Sequence, residues 1–479
     1  MWPKRGGQSA TTAESVPDLE EQLTTLRQRF PDAVWKADSP VAALTDLLAD
    51  LDGNPLLATP TGAMVNAQAV AALRDRDRLP AALTLLDPHA GNPWVDLSRV
   101  DLLRIAGRTE EAFTIVTTHL PNLSAMDHTL QVHWLFAASR VNATCADAAA
   151  RVLSGSAIAD EWPLEFAMGE QISEERVAYF ARQLHALDSR YYPFTDDEAL
   201  TVIRLLVALQ QDPSPIRRQT VPWHEVDAID AAYVESVVDG VLAAVTSRTG
   251  YSLVRLGDGE GVVMRGQRAN LGGAVGRGPD GHLRELDDYE HEQFLADLTA
   301  SLLTADLVGI PDLVQCLHGP VDTRTVPLSV LDAGIDRERI VSGGWYLHLA
   351  LEATGEIKRL LPHLTGVIGP VNPRDMRPIA DRTDVEWLAV PGEIFYYDYD
   401  NASASHWDDC YRDIMAYPFE PGQLWLVGAG TLGKMYCGAI RAAGGVAIDI
   451  GALFDLWSGR ADTRGEVRQN PWITLPYRD

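Results

Sequence analysis

Residues 424–449 decide the fold class of this chain, and they read LWLVGAGTLGKMYCGAIRAAGGVAID. An apolar run ends in a glycine turn, a helical pattern continues to about residue 443, and a second apolar run closes the stretch. A strand, a turn, a helix and a second strand in this order are typical of a β–α–β unit with parallel strands. The stretch therefore predicts an α/β domain.

Short apolar runs recur through the C-terminal half of the chain and extend this pattern. They predict strands over 251–256, 307–310, 366–368 and 385–390, with helical segments between them. Short apolar strands that alternate with helices indicate a sheet that is largely parallel and covered on both faces. We therefore predict an α/β domain over 226–479.

Helical periodicity dominates the earlier part of the chain, over 17–210. Ala82, Ala112 and Ala148 take corresponding places in successive helical segments, 30 and 36 residues apart. These intervals bracket the tetratricopeptide period of about 34 residues, in which a small residue lets paired helices approach closely. The pattern fits either degenerate tetratricopeptide-like hairpins or a plain all-α domain.

Two short segments flank this helical domain. Residues 1–16 are polar and are expected to be disordered. Prolines cluster in 211–225, and because proline interrupts helices we predict a linker there. The order of segments is therefore a disordered N-terminus, a helical-repeat-like domain, a linker and the α/β domain.

Composition narrows the classes of function. The formal net charge of −27 argues against a nucleic-acid partner, because phosphate backbones are bound by cationic surfaces. The cysteines are scattered and form no CxxC pair, which is typical of a reducing compartment. The polar N-terminus lacks the apolar core of a secretory signal, and no apolar run is long enough to span a membrane. We expect a cytoplasmic protein without a transmembrane segment.

The first motif that suggests chemistry reads RLGDGEG over 255–261 and follows the first predicted strand. Ligands of open α/β sheets bind at the carboxyl ends of strands, where this motif lies. Asp258 and Glu260 flank one glycine, and Mg²⁺ or Mn²⁺ binds such carboxylates together with substrate phosphates. Gly257 permits close approach of a ligand, and Arg255 would neutralise a diphosphate or pair with a carboxylate. The alternative is a solvated acidic turn that caps a helix.

The second motif is the glycine turn GAGTLGK at 428–434. Its spacing matches the dinucleotide fingerprint, and Asp449 ends the next strand as the acidic residue of that fingerprint does. The fingerprint normally opens a domain, whereas here it lies near the end of the sequence. Whatever the ligand, Gly428 and Gly430 would present backbone N–H groups to an anion, with Lys434 as a nearby cation. Tight packing of a helix on a strand is the alternative reason for such glycines.

A third stretch, PGEIFYYDY at 391–399, mixes aromatic and acidic residues after a predicted strand. Aromatic faces and carboxylates suit sugar binding, so Glu393, Asp398 or the nearby His406 is a candidate general base. The aromatic residues equally fit a hydrophobic core. The IPD turn at 310–312 closes another strand and would edge the same pocket.

In combination, these motifs resemble the GT-D-type glycosyltransferases. The resemblance covers roughly 226–465 and rests on four segments: RLGDGE at 255–260, IPD at 310–312, PGE at 391–393 and the block at 426–457. It implies a Rossmann-like α/β fold, a nucleotide-sugar donor and a divalent cation, Mn²⁺ or Mg²⁺. Among nucleotide-sugars, a UDP-sugar is the expected donor.

The resemblance also implies roles for individual residues. Asp258 and Glu260 would form the DxE motif that engages the metal and the donor, and Arg255 belongs to the same motif. The sequence departs from other members between 340 and 400, so the resemblance implies no catalytic base, and Glu393 is predicted as the base from its own stretch of sequence. The C-terminal block of the family corresponds here to Gly428, Gly430, Lys434 and Asp449.

The sequence therefore predicts a hexosyltransferase-like, metal-dependent enzyme. It would move a sugar from the nucleotide to a hydroxyl of a protein, peptide or glycan acceptor, recruited by the concave surface of the helical domain. One alternative is an NAD(P)- or flavin-dependent oxidoreductase that uses the GAGTLG turn and has no use for Asp258 and Glu260. Another is a non-catalytic helical-repeat scaffold.

Overall fold

A computed structural model of the chain describes residues 79–187, 193–215, 229–266, 286–319, 321–392 and 406–458. The chain divides into two compact units, Met1–His119 and Leu120–Asp479. The predicted disordered segment 1–16 lies outside the described residues, as does most of the predicted linker 211–225. The predicted domain boundaries therefore stay predictions.

The described part of the first unit is helical, with α1 (Leu79–Leu86), α2 (Pro93–Ile105) and α3 (Thr109–His119). Asn92 begins α2 by accepting backbone N–H groups with its side chain, and Pro93 occupies the first helical position, where no N–H is needed. Gly107, with a φ of +74°, turns the chain between α2 and α3. Ala112 is fully buried where α3 packs on α2, whereas Ala148, in the second unit, is only half-buried. The tetratricopeptide-like repeat stays a prediction.

The second unit holds further helices and all the described strands. No helix within the described ranges is both long enough and apolar enough to span a bilayer. Its helices are α4 (His128–Val141), α5 (Ala143–Leu153), α6 (Ile158–Glu161), α7 (Leu164–Met168), α8 (Glu174–Ala186), α9 (Asp196–Leu209), α10 (Ala231–Ser247), α11 (Asp258–Met264), α12 (Asp288–Thr304), α13 (Leu313–His318), α14 (Val326–Asp332), α15 (Leu347–Ala353), α16 (Ile357–Leu360), α17 (Arg412–Met415), α18 (Leu432–Ala442) and α19 (Leu453–Trp457).

The strands of this unit form one parallel seven-stranded sheet, in the order β3-β2-β1-β7-β6-β4-β5. This confirms the predicted α/β class. Each predicted strand is present, and β3 is an additional strand that the sequence did not indicate. The strands are β1 (Tyr251–Arg255), β2 (Leu307–Ile310), β3 (Ile340–Ser342), β4 (Leu364–Gly369), β5 (Glu386–Ala389), β6 (Leu424–Val427) and β7 (Val446–Asp449).

Helices cover both faces of the sheet. In β6, Leu424 and Leu426 join one hydrophobic cluster, whereas Trp425 and Val427 join the other. The first cluster includes residues of α10, α15 and α19, and the second includes residues of α12 and α18. Because every residue of β6 is buried, the strand is apolar along its whole length, as expected for a parallel strand between two helical layers.

Helices α8 and α9 extend the core on one side of the sheet. Phe180 and Leu206 belong to the same hydrophobic cluster as Val254 of β1. Beyond α9, Ser214 donates a hydrogen bond to the backbone oxygen of Ser342 in β3, at 2.6 Å. The C-terminal part of the predicted helical domain therefore shares its core with the sheet.

Candidate functional site

The predicted motifs meet at the carboxyl edge of the sheet. β7 lies between β1 and β6, with Ile448 paired to Leu253 on one side and to Leu426 on the other. Because these strands are parallel, the turns that follow them emerge at the same edge, which is where ligands of open α/β sheets bind. The RLGDGE turn, the GAGTLG turn and Asp449 are thus neighbours in space.

Four of the predicted site residues form a buried charge cluster, defined here as Arg255, Glu260, Lys434 and Asp449. The Asp449 carboxylate lies 3.2 Å from Nη2 of Arg255 and 3.1 Å from Nζ of Lys434. The same Nζ lies 2.9 Å from Oε1 of Glu260. Each of these side chains is buried. Two cations and two anions therefore balance within the cluster.

Burial and pairing act in opposite directions on the pKa values of the cluster. Burial raises the pKa of Glu260, but Lys434 and the N–H of Gly257 outweigh it and hold the value below its usual range. Burial likewise raises the pKa of Asp449, and Arg255 and Lys434 reverse the shift. Burial lowers the pKa of Lys434, and the two carboxylates raise it above its usual value. Glu260, Asp449 and Lys434 are therefore charged at neutral pH.

Arg255 connects the cluster to the segment that follows β3. Its Nη1 donates to the backbone oxygen of Trp345 at 2.9 Å and lies 2.6 Å from Nδ1 of His348. Its Nε donates to the backbone oxygen of Asp449 at 2.9 Å. Gly451 makes room for the guanidinium, since a Cβ there would lie 2.1 Å from Nη2. Arg255 is therefore saturated by protein groups.

Packing accounts for Gly428 and Gly433 of the GAGTLG turn, and backbone conformation accounts for Gly430. A Cβ on Gly428 would lie 2.5 Å from the ring of Phe454, and a Cβ on Gly433 would lie 3.1 Å from a side chain of β6. Gly430 has a left-handed φ of +55°, and its oxygen accepts the Lys434 ammonium at 3.0 Å. The predicted role of Gly428 and Gly430 in anion binding stays a prediction.

The carboxylates of the DxE motif differ in what the structure shows of them. Asp258 is the first residue of α11, and its side chain lies outside the described residues. Glu260 accepts the Gly257 N–H at 2.8 Å with one oxygen and lies 2.9 Å from the Lys434 ammonium with the other. A divalent cation on Glu260 would face that ammonium, so Glu260 does not fit a metal ligand. Within the described ranges, no group of three or more His, Cys, Asp or Glu could hold a metal.

The structure describes one of the three candidate bases. Glu393 and Asp398 lie outside the described residues. His406 is buried, and its Nε2 lies 2.8 Å from the hydroxyl oxygen of Tyr436. Burial lowers the pKa of His406 to about 3, so the ring is neutral. The structure thus places His406 within the hydrophobic core, away from solvent.

The IPD turn places a buried carboxylate at the end of β2. Asp312 begins α13 by accepting the Gln315 N–H at 2.9 Å, and the Gln315 side chain accepts the Asp312 N–H in return. Burial raises the pKa of Asp312 to about 7, although the N–H groups of Gln315 and Val314 offset part of the shift. Unlike Glu260, Asp312 has no ion-pair partner among the described residues, and its Oδ2 accepts no hydrogen bond there.

Trp345 and His348 are the site residues that the sequence did not indicate. Both follow β3, the strand that was not predicted, and neither belongs to a recognisable motif. The pair of glycines before Trp345, at 343–344, was the one available signal of a tight turn at a strand end.

Comparison of the chain with protein-family models, with curated proteins and with solved structures finds no match. Its function is therefore inferred from the motifs and from the geometry of this edge of the sheet. The resemblance to GT-D-type glycosyltransferases rests on the motifs alone.

Proposed function

We propose that the chain is a glycosyltransferase whose donor site lies at the carboxyl edge of β1, β7 and β6. One observation carries the proposal: two of the four segments behind the resemblance, RLGDGE and the block at 426–457, meet in the buried charge cluster. Arg255 and Asp449 are 194 residues apart in sequence, yet their side chains form an ion pair. A solvated acidic turn, the simpler explanation of RLGDGE, does not fit Glu260, which is only 6% exposed. We also propose that the α/β domain is Rossmann-like and that the helical domain is tetratricopeptide-like.

The charge cluster would act by positioning. Because its charges are neutralised by one another, Arg255 and Lys434 are not available as unpaired cations for a diphosphate. Lys434 instead ties the first turn of α11, through Glu260, to the start of α18. The Gly428 N–H already donates to the backbone oxygen of Ile368 at 2.8 Å, so the N–H groups of residues 429–431 are the proposed contacts of the donor diphosphate.

The proposed reaction moves a sugar from a UDP-sugar to a hydroxyl of a protein, peptide or glycan. The acceptor oxygen forms a bond to the anomeric carbon, the bond to the diphosphate breaks, and the diphosphate leaves with the electron pair. The hydroxyl proton passes to a base, for which Glu393 stays the prediction. Bound Mn²⁺ or Mg²⁺ would neutralise charge on the diphosphate, and Asp258 is the DxE carboxylate left to hold it.

The observed contacts weigh against the oxidoreductase. In the dinucleotide fingerprint, the acid at the end of the second strand binds a ribose hydroxyl. Here the oxygens of Asp449 already bind Arg255 and Lys434. The non-catalytic scaffold remains as one outcome of the test.

The test is calorimetric binding of UDP, GDP, TDP and NAD, with and without Mn²⁺. Asp258→Ala is compared with Asp288→Ala, because Asp288 is likewise the first residue of a helix, α12, and is exposed. We expect one nucleoside diphosphate to bind in a Mn²⁺-dependent manner, and Asp258→Ala alone to weaken it at least about tenfold. Binding of NAD regardless of metal would instead favour the oxidoreductase, and no binding at all would favour the scaffold.

A further inference from the structure

Trp345 lies at the carboxyl edge of the sheet, directly beside the RLGDGE turn. It follows β3, which pairs with β2, and β2 in turn pairs with β1. Gly343, with a φ of +69°, reverses the chain after β3 and directs the next residues back across the ends of these strands. The indole nitrogen lies 3.1 Å from where a Cβ of Gly257 would be. The ring therefore contacts the backbone of the motif.

Three glycines are needed to seat this indole. A Cβ on Gly309 would lie 2.4 Å from the backbone oxygen of Gly344, and a Cβ on Gly344 would lie 2.6 Å from the Cα of Gly309. Gly257 provides the third gap, under the ring itself. A side chain at any of these positions would push the segment after β3 away from the motif.

The backbone at Trp345 is fixed, whereas its side chain is only partly covered. Arg255 donates to the Trp345 oxygen at 2.9 Å, and Arg255 is itself held in the buried charge cluster. Tyr346 packs at a ring distance of 4.9 Å and is buried. The indole is half-buried, packed against the core cluster beneath it. The segment thus presents a rigid aromatic ring next to the first turn of α11.

We infer that Trp345 is the stacking surface for the nucleobase of the donor, an inference that rests on the proposed function. A flat aromatic face binds any nucleobase without needing hydrogen bonds. Sugar recognition needs hydrogen-bonding groups as well, and the neighbouring side chains of Arg255 and Glu260 are engaged within the charge cluster. The geometry of Gly257 and Trp345 therefore suits a planar base better than a hydroxylated ring.

The experiment measures calorimetric binding of UDP, GDP, TDP and base-free pyrophosphate, with Mn²⁺, to the full chain. Trp345→Ala and Trp345→Phe are compared with Trp94→Ala, which removes a 37% exposed indole from the first unit. We expect Trp345→Ala to weaken the bound nucleoside diphosphate by roughly 5- to 100-fold. Trp345→Phe should lose less than about fivefold, since phenylalanine keeps a stacking face. Pyrophosphate binding should not change, and Trp94→Ala should behave as the wild type.

Each other outcome is informative. Nucleotide binding that survives Trp345→Ala unchanged would overturn this inference and leave the glycosyltransferase proposal intact. Absence of nucleotide binding in the wild type would overturn both. Equal losses for nucleotide and pyrophosphate would show that the variant distorts the site, and a loss seen only with a UDP-sugar would place the sugar on the indole; both contradict base stacking. Thermal unfolding of each variant shows whether it has folded.

Discussion

The turns after β1 and β6 share one sequence feature, because each has glycines between the end of a strand and the start of a helix. The surroundings of Gly428 and Gly259 nevertheless differ. In the turn after β6, the space beside Gly428 is filled by Phe454, 2.5 Å from a would-be Cβ. In the turn after β1, the nearest described neighbour of a Cβ on Gly259 is the hydroxyl of Thr431, at 3.9 Å. Gly428 is therefore packed by the protein itself, whereas Gly259 has room beside its backbone although Gly257 and Gly261 on either side of it are packed.

This difference teaches that a glycine pattern does not define a ligand site by itself. GAGTLG is the closer match to a known fingerprint, yet internal contacts account for its glycines. RLGDGE matches no general fingerprint, yet Gly257 makes room for the Trp345 indole and Gly259 has space beside it. The atoms that an added Cβ would contact distinguish Gly428 from Gly259.

The largest effect is expected from replacing Lys434, which links the two turns. Lys434→Met leaves Glu260 buried without its cation, which should lower the free energy of unfolding by about 3–5 kcal/mol. Arg441→Met, in the same helix α18, is the control, because its partner Asp306 is 30% exposed and such pairs contribute at most about 1 kcal/mol. Urea unfolding measures both. Equal losses would mean that the cluster does not hold the turns together.

A second prediction contrasts two buried carboxylates: Glu260, which pairs with Lys434, and Asp312, which has no ion-pair partner in the part of the chain that the structure describes. The pKa of Asp312 is about 7 in the folded chain against 3.8 in the unfolded chain, so the folded state binds more protons between these values. The stabilising contribution of its protonated form is complete below pH 3.8 and is lost as the pH rises through about 7.

At about 1.4 kcal/mol per pKa unit, the wild type should lose about 2–3 kcal/mol relative to Asp312→Asn between pH 5 and pH 8. Urea unfolding at the two pH values measures this difference directly. Parallel pH profiles for the two proteins would show that Asp312 does not titrate in this range.

The smallest effect is expected from adding a methyl group at one glycine in each turn. Gly428→Ala should lower the free energy of unfolding by about 1–3 kcal/mol, because the new methyl group overlaps the Phe454 ring. Gly259→Ala, in the first turn of α11, should change it by less than about 1 kcal/mol, in the stabilising direction. Both are measured by urea unfolding, and Gly428→Ala/Phe454→Leu should recover part of the first loss. Similar values for both single variants would remove the distinction between the turns.

The sequence predicted the sheet well because its strands are short, apolar and separated by helices. The exception is β3, whose three residues follow the charged run at 337–339 and are too few to show a period. The order of the strands could not be predicted from the sequence, because no local pattern indicates that β7 inserts between β1 and β6. That insertion decides which side chains meet.

The site was predicted as a set of residues rather than as a set of contacts. The sequence identified Arg255, Glu260, Lys434 and Asp449, but it did not indicate which of these side chains pair with one another. The strand register selects Asp449 as the common partner, and burial then commits these charges to each other. Trp345 was missed because its place depends on glycines in two distant segments, at Gly257 and Gly309.

The position of β7 has a consequence for how the protein is made. It is the last described strand to leave the ribosome, yet it occupies the middle of the sheet, where it joins β1 to β6. Until Val446–Asp449 emerges, the nascent chain carries two part-sheets with unpaired inner edges, and Lys434 and Arg255 lack their shared carboxylate. The buried charge cluster is therefore completed only after Val446–Asp449 has been synthesised, and a chain that stops before Val446 has neither a continuous sheet nor a complete cluster.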